Sequence, residues 1–296
     1  MSFKLSSSSA AEGFRLAAQE QLIPGDSLQE KFQTITALGY HGIEVRSHGQ
    51  FRFRERQAEL QAAVSDGVVI SSACADMRCF IGDLDPARRE EARENLKSQF
   101  GVLAAVGGTG VVAPATYGVL SRRLPPYTSP RPAEDDEEIV VAALAELGEV
   151  AAREGVDLFL EPLNRYEDFI LNTLDQGSSL IRRSGAGVTL CADFYHMSIE
   201  EDDIAQSLLR AAEHLGHIHV SDSNRNEPGT GHVDWLAGVG ALIAADYHGW
   251  LVLECRPRTS QLDALAKCRE TVTRAYAALA GPTQIGQAPG SQVLSA

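Results

Sequence analysis

One helix-then-strand unit, AEDDEEIVVAALAELGEVAAREGVDLFLE (residues 133–161), shows the pattern that decides the fold. Its first turn is acidic and its last turn carries Arg153, which complements the positive N-terminal and negative C-terminal ends of a helix dipole. Gly155 then favours a helix end, since glycine readily adopts the left-handed conformation found there. The apolar run VDLFLE that follows is short and is typical of a strand buried on both faces.

The same alternation extends in both directions along the chain. Short apolar runs predict eight strands, at 13–18, 41–45, 68–74, 110–115, 156–161, 188–193, 217–222 and 251–255. Helical patterns lie between them, the clearest at 27–39, 133–155, 200–216 and 262–281. Eight strands, each followed by a helix at about 30-residue spacing, predict an α/β fold of the (β/α)₈ TIM-barrel type. The alternative, an open doubly wound sheet, is less favoured because no GxGxxG follows an early strand.

Length, charge and composition restrict the classes of protein that remain. The chain has 296 residues, and 26 Lys and Arg against 40 Asp and Glu give a formal charge of −14. This charge argues against nucleic acid as a partner, because such binding depends on cationic contacts to phosphates. No apolar run approaches the ~20 residues that span a bilayer, and the N-terminal stretch does not resemble a signal peptide. We therefore expect no membrane partner and a cytoplasmic location.

Domain organisation follows from the two ends of the chain. Residues 1–10 are rich in serine, and residues 283–296 are rich in Gly, Pro and Gln. Both ends are predicted to be flexible tails around a single barrel domain at 11–282. The five cysteines include no CxxC pair, and we interpret them as reduced thiols.

The residues that end the last four predicted strands indicate a function. Glu161, Asp193 and Glu254 end or nearly end strands five, six and eight, and His219 lies near the end of strand seven. The carboxyl ends of barrel strands converge on one face, where barrel enzymes have their active sites. Because side chains alternate along a strand, these four share an inward phase, with Phe159, Cys191, His217 and Val252 in the layer below. The helix-facing positions are then Leu160, Ala192, Ile218 and Leu253.

Three carboxylates in one apolar barrel mouth would repel one another without a counter-charge. One divalent metal ion is the simplest source of that charge, and three oxygen ligands with one imidazole suit Mn²⁺, Mg²⁺ or Co²⁺. The alternative is that each acid pairs separately with an arginine or lysine. Four residues in phase on successive strands favour the metal.

Five segments carry a family resemblance: EPLNRYE (161–167), ADFYHM (192–197), HIHVSDSNR (217–225), GTGHVDW (229–235) and LECR (253–256). They resemble the xylose-isomerase-like TIM-barrel superfamily of sugar phosphate isomerases and epimerases, most closely its D-tagatose/D-psicose (allulose) 3-epimerases. The resemblance implies metal ligands at Glu161, Asp193, His219 and Glu254, and substrate contacts from Glu167, His196 and Arg225. It also implies a small sugar substrate, one divalent ion, Mn²⁺ first with Mg²⁺, Co²⁺ or Zn²⁺ as alternatives, and a homodimer or homotetramer.

The implied reaction is epimerisation at C3 of a ketose through an enediolate. Inversion needs proton exchange on opposite faces of the carbon, and Glu161 and Glu254 are the expected catalytic pair. The nearest alternative is an aldose–ketose type isomerase of the same superfamily, acting on an inosose, hydroxypyruvate or a sugar phosphate. Arg256 and Arg258 after strand eight keep phosphate open, since phosphate often binds at the last barrel loops. An endonuclease IV-like nuclease is less favoured, because the ends of predicted strands three and four lack the histidines that its metal cluster needs. A non-catalytic sugar-binding barrel is also less favoured.

Several residues have more than one interpretation. Glu44 ends strand two and either lines the pocket floor or pairs with Arg46 or another neighbour. His217 is expected to be a hydrogen-bonded histidine beneath the site. The segment GTGHVDW is expected to be a structural loop, with a second metal at His232 and Asp234 as the alternative. The Pro-rich insert 121–138 is interpreted as a lid, a dimer contact or a surface loop.

Overall fold

The computed structural model describes residues 14–120 and 128–280, which form a closed barrel of eight parallel strands in the order β1 to β8. Strand β1 pairs with both β2 and β8, and this pairing closes the barrel. The prediction of a (β/α)₈ TIM barrel is confirmed. The predicted tails at 1–10 and 283–296, and residues 121–127 of the Pro-rich insert, lie outside the described residues.

All eight predicted strands are present, with small differences at their ends. Their bounds are β1 Arg15–Gln19, β2 Gly42–Arg46, β3 Ile70–Cys74, β4 Gly110–Pro114, β5 Asp157–Glu161, β6 Val188–Asp193, β7 Leu215–Val220 and β8 Trp250–Leu253. Glu161 and Asp193 are the last residues of their strands. Glu254 follows directly after β8.

The helices lie outside the barrel. Their bounds are α1 Leu28–Ala37, α2 Gln57–Ser65, α3 Pro86–Ala104, α4 Ala133–Glu154, α5 Leu174–Ser184, α6 Phe194–Glu200, α7 Ile204–Arg210, α8 Trp235–Ala244 and α9 Gln261–Ala280. Helix α4 ends at Gly155, whose φ of 77° is the left-handed conformation expected there.

The prediction of one helix over 200–216 was wrong. Helix α6 ends at Glu200, and the Asp203 side chain accepts a hydrogen bond from the Gln206 backbone N–H to start the shorter α7. Leu215 and Gly216 belong to β7. The helix inside the predicted segment is therefore shorter at both ends, because Asp203 caps its start and a 3₁₀ turn at Ala212–His214 leads into β7.

The predicted alternation of side chains along the strands is confirmed. Leu160, Ala192, Ile218 and Leu253 belong to the large apolar core between strands and helices, whereas Phe159 and Cys191 pack with Val112 inside the barrel. His217 stacks on Phe159 with ring centroids 4.7 Å apart. Full burial of a side chain such as Leu160 contributes about 1.5–3 kcal/mol to stability. Burial therefore determines which side chains of a strand face the helices and which face the barrel interior.

Two further features concern the whole described chain. All five cysteines are free thiols. Within residues 14–120 and 128–280, no helix is both long and apolar enough to cross a membrane.

Candidate active site at the barrel mouth

Four side chains predicted from the strand ends converge at the C-terminal face of the barrel. Each of Glu161, Asp193, His219 and Glu254 offers one donor atom, and these atoms all lie within 4.8 Å of one another. The first three side chains are almost fully buried, and Glu254 is 16% exposed. The parallel strands thus bring together four residues that lie up to 93 positions apart in the sequence.

His219 lies between carboxylates on both sides of its ring. Its Nδ1 is 3.0 Å from Glu161 Oε1 and 2.8 Å from Glu254 Oε2, and its Nε2 is 3.0 Å from Glu44 Oε1. A neutral imidazole that donates Nε2–H to Glu44 presents an Nδ1 lone pair to two carboxylate oxygens. This arrangement is repulsive unless a proton or a cation lies between them.

The donor set fits a divalent ion. Two ligands at right angles around an ion at ~2.1 Å lie ~3 Å apart, and the measured Nδ1–oxygen distances of 2.8 and 3.0 Å are of this size. The Glu44 contact on Nε2 is the carboxylate–histidine arrangement that orients metal-binding histidines.

The sequence left two interpretations of Glu44 open, and the structure shows which residues it contacts. Its side chain is fully buried and contacts both His219 and His217, the latter at 2.9 Å. Although burial raises the pKa of a carboxyl group, the two histidines outweigh it and lower the pKa of Glu44. Gln19 and Ser72 also donate to this carboxylate, at 3.0 and 2.7 Å. Its side-chain contacts thus include the two histidines and not Arg46, and it lies beneath the site.

The two candidate catalytic glutamates have opposite pKa shifts. Burial raises the pKa of Glu161. Burial also acts on Glu254, but Arg225 and His219 outweigh it and hold the pKa of Glu254 well below its usual value. Carboxyl groups whose environments move their pKa values apart are typical of acid–base sites.

Asp193 divides its two oxygens between the fold and the site. Oδ1 accepts a hydrogen bond from the Tyr195 backbone N–H at 2.7 Å and so caps helix α6. Oδ2 contacts the guanidinium of Arg225 and lies 3.8 Å from His196 Nε2. Arg225 also contacts Glu254 Oε2 at 2.9 Å, so one arginine pairs with two of the four candidate ligands.

The three predicted substrate contacts line a cavity of about 420 Å³ at the barrel mouth. Glu167, His196 and Arg225 are all part of its wall. Further lining residues from the first half of the chain include Gln19, Arg46, Cys74, Met77, Phe80 and Tyr117. Arg256 also lines the cavity, whereas the Arg258 backbone N–H donates to Glu227 at 2.9 Å.

His196 is oriented by a residue that the sequence analysis did not single out. The Asn164 backbone N–H donates to His196 Nδ1 at 3.0 Å, and the Asn164 amide group lies 2.8 Å from the same atom. Because a backbone N–H can only donate, Nδ1 is the acceptor, and a neutral His196 carries its proton on Nε2, toward Asp193. Asn164 belongs to the same NRYE motif as Glu167, the expected substrate contact.

The GTGHVDW segment is a structural loop, as expected. The Asp222 carboxylate accepts hydrogen bonds from the backbone N–H groups of Gly229, Thr230 and Val233 and from Trp235 Nε1. Asp234 caps helix α8. Neither His232 nor Asp234 belongs to a potential metal-binding cluster in the described part of the chain. The bonds from this loop to Asp222 support the adjacent Arg225, whose backbone φ is 62°.

Comparison with known proteins shows the same fold and similar sequences. A family model described as "Xylose isomerase-like TIM barrel" matches residues 32–273. A 3-dehydro-D-guloside 4-epimerase of Escherichia coli is 37% identical over 246 residues, 82% of this chain and 93% of that protein. A ketose 3-epimerase of Arthrobacter globiformis is 34% identical over 260 residues, covering 82% of this chain and 78% of the relative.

A solved structure extends the likeness to three dimensions. The apo crystal structure of a 3-keto-D-glucoside 4-epimerase from E. coli superposes with a TM-score of 0.80 at 36% identity. The match covers 86% of this chain and 99% of the other. These relatives are epimerases, enzymes of the isomerase class that act on small sugars.

Proposed function

The chain belongs to the xylose isomerase-like TIM barrel family, and we propose that it is a metal-dependent epimerase that inverts C3 of a ketose. The observation that carries the proposal is the convergence of Glu161, Asp193, His219 and Glu254 within 4.8 Å at the base of a sugar-sized cavity. Three carboxylates and an imidazole at this distance together suit a divalent cation, although none of them would form such a site alone.

These four residues would hold one divalent ion, and we propose Mn²⁺, with Mg²⁺, Co²⁺ or Zn²⁺ as alternatives. When bound, such an ion supplies Lewis-acid stabilisation of negative charge on the keto oxygen. The Nδ1 lone pair that a neutral His219 turns toward Glu161 and Glu254 supports this assignment, because a cation between them would relieve the repulsion. The contacts of Arg225 with Asp193 and Glu254 also support it, because they place positive charge next to the acids.

The chain's own residues would move the protons. Glu161 ends β5, Glu254 follows β8, and both line the cavity, so we propose that one removes the proton at C3 while the other returns a proton to the opposite face. Arg225 and the Nε2–H of His196 provide donors toward oxygen atoms that gain charge in the enediolate. Glu167 lines the cavity and would accept a hydrogen bond from a substrate hydroxyl.

A second candidate is inversion at C4 of a 3-keto sugar. The observation in its favour is the 37% identity to the guloside 4-epimerase, over 93% of that relative. The chemistry is the same, because C4 of a 3-keto sugar and C3 of a 2-ketose both carry hydrogen and hydroxyl next to a carbonyl. The aldose–ketose isomerase alternative is not favoured, because the relatives described above are epimerases.

Incubation of the metal-loaded enzyme with candidate sugars in D₂O tests the proposal. NMR should show deuterium at C3 of a ketose, or at C4 of a 3-keto sugar, together with the inverted product. Deuterium confined to C1 or C2 would contradict the epimerase assignment and indicate the isomerase alternative.

We also propose a cytoplasmic homodimer or homotetramer. The family resemblance supports the oligomer, and the five free cysteines support a reducing compartment. Size-exclusion chromatography with light scattering should give two or four times the 31.8 kDa chain mass.

A further inference from the structure

A second groove adjoins the reaction cavity across a shared wall. Met77, Phe80 and Tyr117 line both the cavity and this groove, which has a volume of about 420 Å³. The groove is more open than the cavity and lies outside the ends of β3 and β4. A ligand that fills the cavity and extends beyond it in this direction would therefore pass along the three side chains of the wall.

Tyr117 presents an exposed ring on an anchored backbone. Tyr117 is 52% exposed, although the apolar surface of an aromatic ring is usually covered. On one side, the Thr116 backbone N–H donates to the buried Asp168 at 3.0 Å. On the other side, the Gly118 N–H donates to the Glu167 carbonyl oxygen at 2.9 Å. The ring therefore extends from a backbone that is fixed on both sides.

Phe80 supports this ring from below. It is only 5% exposed, and its ring centroid lies 6.3 Å from that of Tyr117 with an interplanar angle of 60°. Edge-to-face packing of this kind holds an aromatic ring in one orientation. The exposed face of Tyr117 is then available to a partner with weakly positive C–H groups, such as the apolar face of a pyranose.

The groove carries polar groups suited to hydroxyls. Arg88 Nε is 2.7 Å from Asp83 Oδ2, and the Arg88 side chain remains 44% exposed. Arg131 donates to the carbonyl oxygens of Gly82 and Asp83, at 2.8 and 3.1 Å, and so fixes the segment that carries Asp83. A fixed carboxylate and an exposed guanidinium next to an aromatic ring are the elements of a carbohydrate site.

We propose that this groove is a subsite for the second sugar ring of a glycoside, with its ring stacked on Tyr117. The inference rests on the second candidate of the proposed function, inversion at C4 of a 3-keto sugar, because such a sugar keeps its carbonyl group when its anomeric carbon is linked, whereas a 2-ketose does not. The substrate would then be a disaccharide-like 3-keto glycoside whose reacting ring stays closed, since its anomeric carbon is linked to the second ring. A free monosaccharide would fill the cavity and leave the groove to water.

Kinetics on paired substrates test the subsite. The assay compares a 3-keto hexose with the same 3-keto hexose linked through its anomeric carbon to a second hexose, in the wild type and in Tyr117→Ala, Tyr117→Phe and Tyr166→Ala. Tyr166 is the matched control because it is 50% exposed and lines neither the cavity nor the groove. Tyr117→Ala should lower kcat/KM for the glycoside about tenfold, mainly through KM, the size expected for one lost stacking contact.

Because Tyr117 also lines the cavity, the same variant should lower kcat/KM for the free sugar as well, but several-fold less than for the glycoside, and Tyr117→Phe should retain the preference for the glycoside. Equal losses on both substrates, or a wild type without preference for the glycoside, would overturn the subsite.

A binding measurement separates the subsite from the proposed reaction. Titration calorimetry of a disaccharide without a keto group should show binding to the wild type that Tyr117→Ala weakens about tenfold and Tyr166→Ala leaves unchanged. Such binding in a protein that exchanges no hydrogen with D₂O would support the subsite and overturn the epimerase. Deuterium exchange without Tyr117-dependent binding would support the epimerase and overturn the subsite.

Discussion

The two halves of the barrel mouth differ in chemistry although they share one architecture. The ends of β5 to β8 contribute three acids and a histidine within 4.8 Å of one another. The ends of β1 to β4 contribute Gln19, Arg46, Cys74 and Pro114, without a second acid cluster among the described residues. The β5–β8 half therefore carries the acids and the histidine that the proposed proton transfer requires, whereas the strand ends of the β1–β4 half contribute neutral side chains and Arg46 to the cavity wall.

One acid of the β1–β4 half belongs functionally to the other half. Glu44 starts from β2 but lies in the barrel interior, where it contacts His219 and His217. The role of a carboxylate on a barrel strand therefore depends on how deep in the barrel it lies. An acid at the strand end faces the cavity, whereas Glu44, two residues before the end of β2, orients a cavity residue from below.

The largest expected effect is the loss of a proton-transfer carboxylate in the β5–β8 half. Glu161→Gln and Glu254→Gln should each lower kcat about 10³-fold or more, because a neutral amide cannot exchange the proton. Steady-state assays and D₂O exchange measure the loss, with the exposed surface variant Glu137→Gln as control. Near-normal epimerisation in either variant would contradict the two-carboxylate assignment.

Metal removal should produce the next largest effect. Dialysis against EDTA should lower activity about 10²-fold or more, and Mn²⁺ or Co²⁺ should restore it, because negative charge on the keto oxygen then lacks its stabilising ion. Elemental analysis of each sample gives the metal content. Full activity in a preparation free of metal would exclude the Lewis-acid role.

Glu44→Gln should weaken metal binding without removing any ligand. The variant loses the negative acceptor 3.0 Å from His219 Nε2, and we expect a 10–100-fold higher metal Kd. Titration calorimetry with Mn²⁺ measures the Kd, and thermal unfolding of the metal-free protein separates this effect from instability. Glu200→Gln, which removes a buried carboxylate paired with Arg165, is the matched control. An unchanged Kd would show that His219 does not depend on Glu44.

The smallest effect is expected from the β1–β4 half. Arg46 lines the cavity and contacts Asp76 and Cys74, both at 3.7 Å. Arg46→Ala should raise KM about tenfold and change kcat less than about threefold, because a hydrogen bond from a charged group contributes ~1.5–3 kcal/mol to binding. Arg165→Ala, outside the cavity, should change neither constant. A loss confined to kcat would instead indicate that Arg46, and so the β1–β4 half, takes part in the catalytic step.

Much of this arrangement could be predicted from the sequence. The eight apolar runs predicted the barrel, and the two-residue alternation placed Glu161, Asp193 and His219 on the same inward phase. Such patterns are local and are enforced by burial, so they survive in a single sequence. The late start of the helix predicted at 200–216 depended on one capping residue, Asp203, whose effect is small compared with apolar periodicity.

Contacts between distant strands could not be predicted in this way. Whether Glu44 pairs with Arg46 or with histidines more than 170 residues away depends on the shear of the closed barrel, which no local pattern contains. The link from Asn164 to His196 likewise depends on how two loops meet, although its position in the NRYE motif was a usable signal. The aromatic wall at Phe80 and Tyr117 gave no sequence signal at all.

The central claim is that one divalent ion is held by one imidazole and three carboxylates at this barrel mouth. Anomalous diffraction from crystals grown with Mn²⁺ tests it most directly. The account predicts a single strong peak between Glu161, Asp193, His219 and Glu254. A peak elsewhere, or no peak in crystals of protein that is active with Mn²⁺, would contradict it.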